Sequence, residues 1–356
     1  MSSVIESAPL TGNGRVVVSS FKPHPLLRNA HQQTIAPLLL RPMPEPALRI
    51  ERLETPDGDF VDLGWVGEHN RSGPIAVLLH GLGGGFHSKY LRGLAMRLAA
   101  LGWRAVMLQL RGAGDEPNRL PRSYHHGDTA DLRWVWQRLH RAEPRTPIAA
   151  VGWSMGGNIV LRALAEEGED CPVFAAVTAS VPFKLRECAE HLGRGFGRVY
   201  QWHLLTGLKA IVSRKHGVWP LPDSVDVARV LAARSFFEFD NAFTAPLNGF
   251  ADADDYYRST ACGAVLRDIR TRTLILHAKD DPFMRPDIVP GAEALAPSVT
   301  LELSEHGGHV GFIGRGAFGQ PDWWLERRIA DQLQLALGRE PTPQPGDDPE
   351  PVMSAV

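Results

Sequence analysis

A recurring unit constrains this chain more than any other feature. A short aliphatic run stops at a glycine or a polar turn, and an amphipathic stretch often follows. Ile75–Leu79 ends in His80-Gly81, 104–110 ends in Arg111-Gly112, and 148–151 ends at Gly152. Runs at 173–178, 273–277 and 299–303 continue the series. Such short, near-continuous apolar runs suit strands buried on both faces of a parallel sheet. Between them, 88–99 sets Leu91, Leu94, Ala95 and Leu98 on one helical face, and 129–141 does the same with Leu132, Val135, Trp136 and Leu139. Asp128 is placed to cap the second of these. Segments 157–166 and 323–337 predict two more helices. Upstream, 48–54 and Phe60–Val66 flank Pro56-Asp57-Gly58 and predict an antiparallel hairpin. The alternation predicts an α/β chain with a mostly parallel central sheet and helices on both faces. In such sheets the reactive groups sit in loops beyond the carboxyl ends of the strands.

The 356 residues suit two domains or one large α/β domain. We expect a single domain over 21–339, a loose N-terminal segment over 1–20, and a disordered tail over 340–356, where proline and acidic residues crowd together. Residues 183–260 interrupt the pattern. They hold helical stretches, many aromatics (Phe196, Tyr200, Trp202, Trp219, Phe236, Phe237) and the cations Lys209, Arg214 and Lys215, but no clear strand. They predict a helical cap or lid inserted over the sheet.

Charge and cysteine content exclude several function classes. Lys plus Arg is 38 and Asp plus Glu is 40, so nothing draws the chain to nucleic acid. Three cysteines (Cys171, Cys188, Cys262) without C-x-x-C spacing argue against a disulfide framework and a zinc cage. A reduced, cytoplasmic setting is the expectation. No signal-peptide pattern opens the chain and no run approaches 18 apolar residues, so no transmembrane segment is expected. Peripheral membrane contact through the basic, aromatic 183–260 segment stays open.

The sharpest local signal is Gly152-Trp153-Ser154-Met155-Gly156, within P-I-A-A-V-G-W-S-M-G-G-N-I-V-L. It matches G-x-S-x-G, where a sharp strand-to-helix turn pushes the serine Oγ out of the sheet. With 35 glycines, a chance match somewhere in the chain has a probability of roughly 0.2. The context carries more weight than the pattern: an apolar strand precedes it, an amphipathic helix follows, and Gly157 lets the two pack closely.

A serine of ordinary pKa needs an adjacent base. On this architecture the chain order is Ser, then Asp or Glu, then His, the last two following successive strands. The run 273–277 is followed by Ala278-Lys279-Asp280-Asp281-Pro282, and 299–303 by Ser304-Glu305-His306-Gly307-Gly308-His309. Asp280 competes with Asp281. Asp281 is preferred because it lies three residues past the small Ala278 and directly before Pro282. His306 competes with His309, and the Gly307-Gly308 turn favours His309. His306-x-x-His309 lacks a third ligand, so no metal is expected. The oxyanion donors expected are the backbone N–H groups of Met155, next to the nucleophile, and of Leu82, in the His80-Gly81-Leu82-Gly83-Gly84-Gly85 loop. That loop fits neither nucleotide-binding glycine pattern, so no cofactor is expected. His126 and Asp131 form an H-x-x-x-x-D match, but about one is expected by chance, and the segment reads as a helix start.

Together these blocks resemble the YheT-like esterase family of the α/β-hydrolase superfamily. The resemblance rests on P-H-P-L-L-R-N-A-H-Q-Q-T-I-A-P-L-L-L-R (23–41), L-L-H-G-L-G-G-G-F-H-S-K-Y (78–90), G-W-S-M-G-G-N (152–158), H-A-K-D-D-P-F-M (277–284) and G-G-H-V-G-F (307–312). It implies an α/β-hydrolase fold and carboxylic-ester hydrolysis by a triad of Ser154, Asp281 and His309. The expected substrate is a small ester with an apolar acyl chain. Acyl transfer or thioester hydrolysis by the same triad, and a non-catalytic lipid- or partner-binding module, are the competing expectations. The sequence leaves oligomeric state and acyl length open.

Overall fold

The computed structural model describes residues 12–70 and 72–340. Within them lie strands β1 (Arg15–Val18), β2 (Arg49–Glu54), β3 (Phe60–Val66), β4 (Ile75–Leu79), β5 (Arg104–Gln109), β6 (Ile148–Trp153), β7 (Val173–Ala179), β8 (Arg272–Ala278) and β9 (Val299–Ser304). They form one sheet in the order β1-β9-β8-β7-β6-β4-β5-β3-β2. Neighbours pair in parallel except at one edge, where β3 runs antiparallel to both β5 and β2. A short ribbon of β10 (Ile313–Arg315) and β11 (Pro321–Trp323) stands apart.

The helices, in chain order, are α1 (Ala30–Leu40), α2 (Lys89–Ala100), α3 (Ala130–Ala142), α4 (Met155–Glu167), α5 (Leu185–Leu192), α6 (Gly197–His216), α7 (Val227–Ala232), α8 (Phe236–Phe239), α9 (Ala245–Asn248), α10 (Ala253–Thr260) and α11 (Trp324–Ala336). Period-two alternation along β4 divides the core. Ile75, Val77 and Leu79 pack with Leu132, Val135 and Trp136 of α3 and Ile159 and Val160 of α4. Ala76 and Leu78 pack on the opposite face with Leu91, Leu94 and Leu98 of α2 and Ile329 and Leu333 of α11. Both faces are covered, as the unbroken apolar runs require.

The chain passes from β4 to β5 on one side and then returns across β4 to β6 on the other. This reversal is a topological switch point. It sets the loop after β4 beside the turn after β6 at the carboxyl edge of the sheet. The segment between β7 and β8 carries α5 to α10 and no strand. A π turn at Asp240–Thr244 joins α8 to α9.

Two local expectations change. Arg15–Val18, placed in a loose N-terminal segment, is an edge strand running parallel to β9. Its run of three valines suits a strand, and an edge strand exposed on its free side carries little alternation to read. Residues 1–11 and the predicted tail beyond 340 lie outside the described residues. Asp128 does not cap α3. Thr129 occupies the cap position, and the Asp128 carboxylate instead pairs with the Arg122 guanidinium, a stronger charge-assisted contact. Among the described residues, no helix is long and apolar enough to cross a membrane.

Candidate active site

Ser154 sits alone between β6 and α4, with φ 51° and ψ −120°. A non-glycine residue in this region is strained and persists only where its surroundings hold it. They do so here: its N–H donates to Ala179 O at 2.8 Å, and its carbonyl accepts from Asn158 N–H at 3.0 Å. The flanking glycines are required by contact. A Cβ on Gly152 would lie 2.5 Å from Gly156 O, and one on Gly156 would lie 2.4 Å from His80 O. Met155 opens α4, so its N–H belongs to the unpaired first turn, at the positive end of the helix dipole.

His309 follows β9. Its Nε2 lies 3.0 Å from Ser154 Oγ, and its Nδ1 lies 2.8 Å from Asp281 Oδ2. Asp281 is buried, and its second oxygen accepts the Phe283 N–H at 2.9 Å. With Nδ1–H donating to the carboxylate, Nε2 is left to accept the serine hydroxyl proton. Three further contacts hold the imidazole. The His309 N–H donates to Thr34 Oγ1 at 2.9 Å, and the Val310 N–H donates to Ser180 Oγ at 3.0 Å. The Phe283 ring stacks on the imidazole at 3.9 Å, 5° from parallel. The sequence reading missed Thr34, Ser180 and Phe283. Thr34 lies 275 residues from His309 in sequence, and no pattern links them.

The rejected alternatives have places of their own. Asp280 accepts the Gly308 N–H at 2.9 Å and faces His306 Nδ1 at 3.3 Å, with the His306 ring half exposed. Asp280 therefore shapes the turn that presents His309. The H-x-x-x-x-D match splits apart: Asp131 forms a bidentate pair with Arg111, whereas His126 lines the cavity in front of Ser154.

Among the described residues, the loop after β4 presents one free donor. Gly81 N–H donates to Tyr90 Oη, Gly83 N–H to Tyr124 Oη, Gly84 N–H to Gly81 O and Gly85 N–H to Ser88 Oγ. The Leu82 N–H has no partner among the described residues. The loop also passes close to the serine, since a Cβ on Gly81 would lie 3.3 Å from Ser154 Cβ. Beneath it, His80 is fully buried, and burial pushes its pKa down to about 4. The neutral ring donates from Nδ1 to Gly81 O at 2.8 Å and accepts the Leu110 N–H at Nε2 at 3.3 Å, which fixes the loop.

A cavity of about 800 Å³ opens over Ser154, Met155, Leu82 and His309. Leu185, Tyr200, Leu204 and Phe236, from the helices between β7 and β8, line its far wall. Of the aromatics singled out in that segment, Tyr200 and Phe236 are buried there, while Phe196, Trp202, Trp219 and Phe237 are exposed.

The family profile described as the alpha/beta hydrolase fold matches residues 74–315. The chain is 45% identical over 314 residues to the protein YheT of Escherichia coli (strain K12), which is named as an esterase, covering 87% of this chain and 91% of that one. It is 31% identical over 331 residues to the phospholipase ABHD3 of Mus musculus, covering 90% and 80%. Among solved structures, the Pyrococcus furiosus esterase PF2001 aligns with a TM-score of 0.54 at 16% identity, over 93% of this chain and 98% of that one. An esterase from Exiguobacterium antarcticum aligns with a TM-score of 0.52 at 19% identity, over 81% and 98%. At these identities the two solved structures share the fold alone.

Proposed function

The chain belongs to the alpha/beta hydrolase family, and on that premise we propose that it is a serine esterase cleaving carboxylic esters with an apolar acyl chain. The observation that carries this reading is the continuous hydrogen-bond chain from Ser154 Oγ through His309 to Asp281, at the floor of a cavity walled by apolar side chains.

Ser154 Oγ attacks the acyl carbonyl while His309 Nε2 takes its proton. Asp281 holds the imidazole in the required tautomer and stabilises the imidazolium. The N–H groups of Leu82 and Met155 receive the oxyanion. One such donor is worth about 3–4 kcal/mol of barrier. His309 then protonates the departing alcohol, and water attacks the acyl-enzyme by the same route in reverse. The helices between β7 and β8 act as a cap that shapes the acyl pocket. Thioester hydrolysis and acyl transfer to an alcohol use the same groups, and a substrate panel separates them from ester hydrolysis.

Intact mass after exposure to a fluorophosphonate, wild type beside Ser154→Ala, tests the reading. One adduct on the wild type and none on the variant is the expected result. A folded wild type that takes no adduct overturns it.

A further inference from the structure

The cavity has a second polar region that the proposed reaction does not use. His126, Asp240, Tyr256 and Tyr257 all face the cavity, and they come from three separate segments of the chain. Two hydrogen-bonded pairs organise them. Tyr257 Oη donates to Asp240 Oδ2 at 2.6 Å, while Thr244 Oγ1 donates to the other carboxylate oxygen at 2.6 Å. Tyr256 Oη lies 2.7 Å from His126 Nδ1 and accepts the His126 backbone N–H at 3.2 Å.

The protonation pattern follows. Tyr256 Oη has no other acceptor among the described residues, so its hydrogen goes to His126 Nδ1. Burial pushes the His126 pKa down to about 3, so the ring is neutral and its own hydrogen sits on Nε2. That donor has no partner among the described residues, and His126 is half-buried at the cavity wall. Asp240 sits in the π turn between α8 and α9, a distortion common at functional sites. Burial raises its pKa to about 6, and no cation pairs with it among the described residues. A carboxylate accepts about four hydrogen bonds, and this one receives two.

The cluster is registered on the nucleophile. Asn158, one turn beyond Ser154 on α4 and fully buried, donates from Nδ2 to His126 O at 2.7 Å and to Thr260 O at 2.9 Å. Its Oδ1 accepts the Cys262 N–H at 2.9 Å. A single side chain of the elbow helix therefore ties down both the His126 loop and the end of α10, which carries Tyr256 and Tyr257.

Within the serine-esterase reading, we infer that His126 and Asp240 form a polar subsite that receives a hydroxyl-bearing part of the ester, with Asp240 as acceptor and His126 Nε2–H as donor. Hydroxyl groups both donate and accept, so a polyhydroxyl part of the ester can use both groups. An ammonium group would use the carboxylate alone. The mainly apolar lining makes the distinction sharp, because a buried polar group left unpaired penalises a substrate that lacks the hydroxyl. Asn158 is the positioning residue.

Two non-hydrolysable ethers test this without chemistry: 1-O-octylglycerol and ethyl octyl ether, titrated calorimetrically into the full-length protein. The wild type is expected to bind the glycerol ether tighter by roughly tenfold or more. Asp240→Asn and His126→Ala, each checked for folding by thermal melting, are each expected to bring the two affinities to within about twofold. Equal binding by the wild type, or a preference that survives both substitutions, overturns the subsite. Because ether binding needs no activated serine, a failure of fluorophosphonate labelling counts separately, against the esterase reading.

Discussion

Thr34→Val tests whether the proposed base depends on α1. Valine keeps the shape of threonine and removes the hydroxyl that accepts the His309 N–H at 2.9 Å. The same hydroxyl donates to Ala30 O at 2.8 Å, a carbonyl that lies at the start of α1. The principal loss is therefore the His309 amide, left unpaired at a largely enclosed position. An amide orphaned in this way costs about 1–3 kcal/mol. Gly308, the residue before His309, cannot absorb the change freely, because a Cβ there would lie 2.6 Å from Ala30 O; the loop and α1 are already in contact. If the whole cost appears as imidazole displaced from Ser154, kcat/KM falls by about fivefold at the lower bound and about 150-fold at the upper. The assay is kcat/KM for a p-nitrophenyl ester, beside the pseudo-first-order rate of fluorophosphonate labelling. Both should fall together, and Thr34→Ser, which restores an acceptor, should recover most of the loss. Labelling and turnover within twofold of wild type in Thr34→Val would refute the reasoning, as would Thr34→Ser behaving like valine.

Further predictions use other contacts. Asp281→Asn keeps the volume but removes the carboxylate that holds Nδ1–H, and kcat should fall by about 10³–10⁴, measured on the same ester. His306→Ala removes an exposed ring whose partner among the described residues is Asp280, so steady-state activity should stay within about twofold; a hundredfold loss would move the base assignment to His306. Stability should fall with acid through His80. Its pKa is about 4 when buried, against the ordinary 6.5, so the unfolded chain takes the proton first; the stabilisation is present above pH 6.5 and lost as pH falls towards 4. That displacement corresponds to about 3 kcal/mol, and Asp240, raised to about 6, works in the opposite direction over the acid range. His80→Gln should therefore flatten the loss of denaturant stability between pH 6.5 and 4, and an unchanged slope would count against a neutral buried His80.

The elements that the sequence read well are those in which local chemistry and burial agree. Ile75–Leu79 appears with the expected bounds, and the Pro56-Asp57-Gly58 turn joins β2 and β3 as the expected antiparallel pair. The 104–110 and 148–151 runs differ from β5 and β6 by one or two residues at one end. Ser154 was legible because G-x-S-x-G records a steric requirement: glycine must stand wherever β6 and α4 approach so closely. The order of Asp281 and His309 was legible because each follows its own strand at the same edge of the sheet.

What the sequence could not determine depends on distant contacts. The choice between Asp280 and Asp281, one residue apart, is decided by which carboxylate points inward to His309 and which turns out to Gly308. Asp128 reads locally as a cap and is claimed by Arg122. Strand β1 carries no burial alternation, because it lies exposed at the sheet edge, and its partner β9 is nearly three hundred residues away. Thr34, Ser180, Phe283 and Asn158 act through backbone amides, carbonyls and a ring face, which any of several residue types could serve. Short-range sterics and burial periodicity are written into neighbouring residues, and these made the central strands, the helices that cover them and the serine turn legible. The orientation of the histidine and the polar wall of the cavity come from segments far apart in the chain, brought together only when the sheet has closed its order.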